Sequence, residues 1–353
     1  MKIVYLVNFY VDQGKGLGMV TGQKVKALRQ LGNEVVFISS PYISPYLRVL
    51  YGLILDFKAA WVVVSSKPEV IISRGFLGFV SMFFAKLVGT KSVREVHAYG
   101  LEEVKLLKYG WFRGGLLRFL ASFSHFLDVK ADVRIFNHPD LMEFYKSEGF
   151  SGANDFYVYN GFDGSKESSL TKADSRKKYG LSDEFKYLIF TGSATRWHGI
   201  EYLVDLQKEL IDRGVHVKVV CGGGDISNFD PDGVCLNITP LDSSECADLI
   251  KAADLCLLPV RSNRVSPGSP LKLYDYIVNR KFIAAQDGVR GYCDEVQLYN
   301  IGVCVNFEDS KAAADSILNF IDSGALEFEF PNVSASWNDR MAEWVCGLNK
   351  VVG

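Results

Sequence analysis

Short runs of β-branched and apolar residues alternate with longer amphipathic stretches along almost the whole chain. No other feature narrows the fold as much. A parallel strand buried on both faces reads as a continuous apolar run, and consecutive parallel strands need a crossover, usually a helix. KIVYLV (2–7), NEVVFIS (33–39), EVIIS (69–73), KSVREV (91–96) and DVRIF (132–136) read as strands. A Gly-rich loop follows the first, then MVTGQKVKALRQLG (19–32), apolar at helical spacing. The second half repeats the scheme. FKYLIFTG (185–192), VHVKVVC (215–221), residues 253–258, RKFIAAQ (280–286) and IGVCVNF (301–307) read as extended. GIEYLVDLQKELIDRG (199–214) and PLKLYDYIVN (270–279) read as helices, and residues 337–348 as a closing helix. The pattern predicts an α/β chain of two Rossmann-like doubly wound domains.

A length of 353 residues agrees, since domains usually hold roughly 100–200 residues. The polar, turn-rich NGFDGSKESS (160–169) places the hinge. The expected division is a first domain over 1–165, a second over 166–330, and the closing helix within 331–353. In open α/β sheets ligands sit beyond the carboxyl ends of the strands. The strand-to-helix loops of both domains are therefore expected to face an interdomain cleft.

Composition removes several alternatives. Hydrophobic residues at 48% and charged residues at 23% describe a folded globular chain. A net charge of −2 speaks against a generally basic nucleic-acid binder. Residues 1–165 carry 19 Lys+Arg against 14 Asp+Glu, and the remainder 20 against 27, so the halves differ in sign. The seven cysteines include no C-x-x-C pair, and a reducing compartment is the simplest setting. The opening MKIVYLVNFY is too brief for a signal-peptide core. The most apolar stretch, 42–64, is interrupted by Arg48, Asp56 and Lys58, and falls short of the ~18–20 apolar residues of a span. A cytoplasmic chain is expected. Residues 107–127 mix Trp111, Phe112, Leu116 and Phe119 with Lys108, Arg113 and Arg118. Such a helix can lie on an anionic membrane surface or be half buried in its own domain.

Three loops carry the chemistry. VDQGKGLGMVTG offers Gly14, Gly16 and Gly18 before a helix, whose N-terminus favours anions. It is not the dinucleotide fingerprint, because the third glycine position holds Met19 or Thr21. A nicotinamide oxidoreductase is disfavoured. The second loop, TGSATRWHG (191–199), places Gly192, Ser193, Thr195, Arg196 and His198 between a strand and a helix, a donor set suited to a diphosphate. In the third, Gly268 and Ser269 precede a helix with Lys272 in its first turn. A cation there opposes the helix dipole, which argues for an anionic ligand. Asp275 stands three residues on, close enough for an i,i+3 ion pair with Lys272. Asp230-Pro-Asp232 spells a D-x-D, but in a turn-like segment away from the strand ends, so no metal site is expected.

In order along the chain, RQLGNEVVFIS, REVHAYG, NGFD (160–163), FTGSATRWHGIEYLV, VKVVCGGGD, SSECADLIKAADLCLLPV and PLKLYDYIVNRKFIAA form a series. That series resembles the nucleotide-sugar-dependent glycosyltransferases of the two-Rossmann-domain (GT-B) architecture, in particular the large retaining family 4. The resemblance implies a retaining glycosyltransferase. It would move a sugar from a nucleoside-diphosphate sugar to a saccharide or lipid-linked glycan, in polysaccharide, capsule or lipopolysaccharide biosynthesis. It implies no cofactor and no metal; the segment 107–127, more commonly a half-buried helix, leaves open a place at the inner face of the membrane. His97 would sit near the reacting carbon of the sugar, and Lys272 would stabilise the departing diphosphate. Gly16 and Gly18 would approach the donor phosphate or the acceptor by their backbones, with Gly192, Ser193, Thr195, Arg196, His198, Gly268 and Ser269 around the donor and Asp275 on the ribose. Two positions depart from the family pattern. Its two glutamates are Pro267 and Asp275 here, and its Arg and Lys after the donor-domain strand are Ser193 and His198. Two other readings use the same architecture: a nucleotide-sugar 2-epimerase, which needs acid/base carboxylates, and an inactive nucleotide-sugar-binding protein.

Overall fold

The computed structural model describes residues 1–9, 16–41, 45–101, 104, 111–150, 152–195, 198–262 and 268–352. The chain forms two compact units. The first comprises Met1–Asn160, Ser266–Ser269 and Trp337–Gly353; the second comprises Gly161–Val265 and Pro270–Ser336. The closing helix thus belongs to the first unit.

The first unit runs β1 (Lys2–Leu6), α1 (Gly16–Gln30), β2 (Glu34–Ile38), α2 (Pro45–Ser66), β3 (Val70–Ser73), α3 (Phe79–Val88) and β4 (Lys91–Val96). It continues with α4 (Trp111–Lys130), β5 (Val133–Phe136), α5 (Pro139–Ser147) and β6 (Phe156–Tyr157). Its six-stranded sheet has the order β2-β1-β3-β4-β5-β6, with every pairing parallel. The apolar strand runs occupy the interior, and all four residues of β3 are buried. Helix α1 begins at Gly16, so Gly16 and Gly18 lie in its first turn and not in the loop before it.

Residues 45–66 form one helix despite their charges, and Asp56 shows why. Its carboxylate is buried and accepts hydrogen bonds from Val80 N (2.9 Å), Ser81 N (3.0 Å) and Ser81 Oγ (2.5 Å). It thereby caps α3, whose own N-cap is Gly78 and supplies no side chain. The neighbouring turn packs Leu55, Ala59 and Val63 against Val4, Leu6 and Ile71 of the sheet. Contrary to the sequence expectation, Val49–Ser66 is long and apolar enough to cross a membrane. One face of this helix is nevertheless part of the domain core.

The second unit runs β7 (Lys186–Gly192), α7 (Ile200–Asp212), β8 (Val217–Gly223), β9 (Leu236–Ile238), α8 (Ser243–Ala252) and β10 (Leu255–Leu258), after a short α6 (Lys172–Lys178). Then come α9 (Leu271–Val278), β11 (Ile283–Gln286), α10 (Asp294–Leu298), β12 (Gly302–Val305) and α11 (Ser310–Asp322). Its sheet order is β12-β11-β10-β7-β8-β9, again all parallel. The sequence favoured a setting of reduced thiols, yet Cys293 and Cys304 are joined by a disulfide that ties the start of α10 to β12. Helix α12 (Trp337–Val352) packs on α1 in the first unit.

Candidate functional site

In the second unit the strand-end loops converge on Lys272. Strand β7 ends at Gly192, and β8, its parallel neighbour, ends at Gly223. Gly224 N–H donates to Gly192 O (3.0 Å), so the two loops touch through their backbones. A Cβ at Gly224 would strike Ala194 N, and one at Gly192 would strike Lys272 Cε. Gly192 also has φ +136°, a conformation that side chains resist. Both glycines are required by close approach.

Lys272, in the first turn of α9, reaches past Gly192 to His198, with Nζ 2.8 Å from Nε2. His198 Nδ1 lies 2.7 Å from Ser193 O and 3.0 Å from Thr195 Oγ1. A carbonyl oxygen can only accept, so Nδ1 carries the proton and Nε2 is the acceptor for the Lys272 ammonium. Burial, and then Lys272, push the His198 pKa down to about 4, which keeps this tautomer neutral. Burial lowers the Lys272 pKa to about 8, against the pull of Asp275. No carboxylate among the described residues forms an ion pair with Lys272. Asp275 pairs instead with Lys166 (2.7 Å), so the i,i+3 pair that the spacing left open is not made. Burial raises the Asp275 pKa, with Lys166 opposing it.

The structure therefore brings Gly192, Ser193, Thr195, His198 and Lys272 together, with Asp275 one turn along the same helix. Arg196 and Pro267 lie outside the described residues. Gly268 and Ser269 fall with the first unit, where Ser269 O accepts from Asn160 Nδ2 (3.2 Å). The D-x-D carboxylate of Asp230 is buried and accepts from Val234 N (2.9 Å) and Cys235 N (2.8 Å), the work of a turn staple. Lys166 was not anticipated, because nothing local marks a lysine in a polar hinge as the partner of a residue over a hundred positions away.

In the first unit, strand periodicity puts Glu95 and His97 on one face of β4 and its extension. Glu95 is buried and accepts from Tyr5 OH, Lys24 Nζ and His97 Nε2. Burial alone would raise its pKa; Lys24, His97 and Arg74 overcome that and hold it well below the carboxylate range. Burial lowers the Lys24 pKa against the pull of Glu95, and burial with Glu95 raises that of Tyr5. Lys24 Nζ also lies over the rings of Trp337 (5.1 Å) and Trp344 (5.0 Å) of α12. Burial, and then Arg74, push the His97 pKa down to about 3. His97 is therefore neutral with its proton on Nε2, donated to Glu95, which leaves Nδ1 as a lone-pair acceptor. The sequence pointed to His97 and to the Gly16–Gly18 helix start. It did not point to Lys24, Glu95 or Arg74; the one local signal was an acid two residues before the histidine, on the same face of the strand.

No protein-family model matches the sequence, and no curated protein matches it. Solved structures match throughout. Sucrose-phosphate synthase from Thermosynechococcus elongatus is 15% identical, with a TM-score of 0.67 over 99% of this chain and 96% of that one. The catalytic domain of starch synthase IV from Arabidopsis thaliana, bound to ADP and acarbose, is 12% identical, with a TM-score of 0.69 and 99% of each chain covered. HepE from Anabaena, in complex with UDP-glucose, is 14% identical, with a TM-score of 0.59 over 100% of this chain and 98% of that one. The fold is thus the GT-B type of glycosyltransferases, as the sequence resemblance implied.

Proposed function

We propose that this chain is a metal-independent retaining glycosyltransferase. It takes a sugar from a nucleoside-diphosphate donor bound by the second unit and passes it to a saccharide or lipid-linked glycan on the first. One observation carries the reading: a half-buried ammonium, Lys272, with no carboxylate partner among the described residues, is held by His198 over a glycine-lined strand end. A cation so placed at a helix start is destabilised until an anion meets it. A diphosphate supplies that charge, and the backbone N–H groups around Ser193 supply donors. HepE holds UDP-glucose and starch synthase IV holds ADP on the same fold, which supports a nucleoside-diphosphate ligand.

In this reading Lys272 and the α9 dipole stabilise the leaving diphosphate as its charge grows, and Asp275 with Lys166 flanks the ribose. Gly16 and Gly18 present α1 N–H groups. His97 has a specific task. With its Nε2–H spent on Glu95 it is no general acid at neutral pH; its Nδ1 accepts a hydrogen bond from a sugar hydroxyl and orients the ring. The epimerase alternative needs a carboxylate free to exchange protons, and Glu95 is instead held ionised by three donors.

Calorimetry with UDP, ADP, GDP and their glucose conjugates tests the reading. Binding of at least one, lost in Lys272→Ala, is the expected result. If none binds, the reading fails. Radiolabel remaining on free sugar nucleotide in inverted form, without an acceptor, would favour the epimerase.

A further inference from the structure

The first unit carries an apolar surface that its own fold leaves open. Fourteen of the twenty large apolar residues exposed among the described residues lie on just three helices, α2, α3 and α4. On α2, Leu50, Ile54, Phe57, Trp61 and Val64 recur at alternating spacings of three and four, one stripe along the helix. Trp61 is 73% exposed and Phe57 62%. On α3, Phe79, Phe83 and Leu87 form a second stripe. The surface is continuous. Asp56 of α2 caps α3, and the Phe79 ring lies 5.8 Å from Phe123 of α4, which stacks in turn with Phe119 and Phe126. Isolated exposed apolar residues are ordinary, but a patch spread over three helices marks something that binds there.

The charges on the same helices identify the partner. Lys58, Lys86, Arg118 and Lys130 are exposed. The three helices contain only two carboxylates, Asp56 and Asp128, and both are buried, the second on Arg94. The face therefore presents apolar and cationic groups and no exposed acid. A second copy docking on it would bring like charges together across a self-complementary interface, which is unfavourable. An anionic lipid surface satisfies both halves of the pattern, taking aromatic side chains into the headgroup boundary and cations onto its phosphates. The core-facing side of α2 explains why this span-length helix would lie along a bilayer and not cross it.

We infer that the first unit docks on anionic phospholipid bilayers through the combined face of α2, α3 and α4, with Trp61, Phe57, Phe83 and Phe119 inserted and Lys58, Lys86, Arg118 and Lys130 on the headgroups. This rests on the membrane-side placement considered for residues 107–127 but not on the transfer chemistry, and it moves most of the contact to helices that the sequence did not single out.

Flotation of the full chain with phosphatidylcholine–phosphatidylglycerol vesicles, beside vesicles of phosphatidylcholine alone, tests the inference. The protein should float with the anionic vesicles, and raised salt should release part of it. Trp61→Glu with Phe83→Glu should abolish flotation while leaving the melting temperature and UDP binding unchanged. Lys86→Glu with Arg118→Glu should abolish the preference for anionic lipid. Wild-type protein left at the bottom of the gradient with anionic vesicles overturns the inference. So does a wild-type dimer in light scattering that the Trp61→Glu, Phe83→Glu variant converts to monomer, because a second copy would then own the face. Since UDP affinity is read separately, failure of lipid binding is distinguishable from failure of the transferase reading.

Discussion

The two units have the same architecture and both bury ion pairs, but they differ in what they leave exposed or unpaired. Each is a six-stranded parallel sheet with helices between its strands. In the first, ionised groups are packed inside: Arg94 is fully buried on Asp128, and Lys24 is closed between Glu95 and two indoles, while apolar side chains cover the outside of three helices. In the second, the exposed large apolar residues are only Ile211, Leu236, Leu298 and Phe328 among those described, scattered along the unit. Its strand-end cation, Lys272, has no carboxylate partner among the described residues. A buried pair is a completed structure that contributes orientation; an unpaired cation is an incomplete one that asks for a ligand. The contrast is what the proposed functions build on: surface contact for the first unit and an anionic ligand for the second.

The largest expected effect tests the first half of that contrast. Glu95→Gln strands the Lys24 ammonium in the interior and should cost about 3–5 kcal/mol of stability, read by urea denaturation. A change below about 1 kcal/mol would show that the cluster is not structural. Acid should act in the same direction. The folded His97 pKa of about 3 lies below the ordinary value of about 6.5, so the unfolded chain binds more protons between them. Stability should fall as pH drops through that window, and His97→Gln should flatten the fall.

The second half is tested by Lys272→Ala, expected to weaken UDP binding by about 10–100-fold in calorimetry, with little effect on melting temperature. Unchanged affinity would remove Lys272 from the site and with it the contrast between the units. A smaller effect sharpens the same point. Lys272 titrates near 8 in the free protein, and a diphosphate beside it would raise that value. UDP affinity should be flat below pH 8 and decline above it by up to about tenfold per pH unit. The smallest effect is expected at the exposed end. Asp275→Asn breaks a pair whose carboxylate is 32% exposed and should change stability by less than about 1 kcal/mol. A larger loss would make Lys166–Asp275 a structural pair.

His97 makes its own comparison between binding and turnover. His97→Ala should lower kcat far more than it raises the Kd for UDP, because the side chain would meet the sugar and not the nucleotide. Equal effects on both would return His97 to a purely structural role.

Much of the strand set was legible. FKYLIFTG contains β7, because a parallel strand buried on both faces favours an uninterrupted apolar run. KSVREV coincides with β4 although only Val93 and Val96 are apolar, its buried Arg94 and Glu95 being paired by residues from elsewhere in the chain. The loop residues at Gly192, His198 and Lys272 were legible for a related reason: topology forces strand ends and helix starts to one edge of a sheet. The capping role of Asp56 was not, since only the packing of α2 against α3 reveals that carboxylate as a cap. The hydrogen bond from Lys24 to Glu95 spans 71 positions, and no local pattern encodes such a distance.

The order of residues alone thus determined two parallel sheets, their crossover helices and which loops lie at the strand ends, because hydrophobic periodicity and glycine placement are local properties of the chain. Tertiary structure alone decided which charges meet: that Asp275 turns to Lys166, that His97 is spent on Glu95, and that Lys272 lies on His198 with no carboxylate partner among the described residues. It alone decided, too, which apolar stripes are buried and which stay open. Burial and pairing depend on what folds back from far along the chain, and electrostatics inside a protein is set by that neighbourhood.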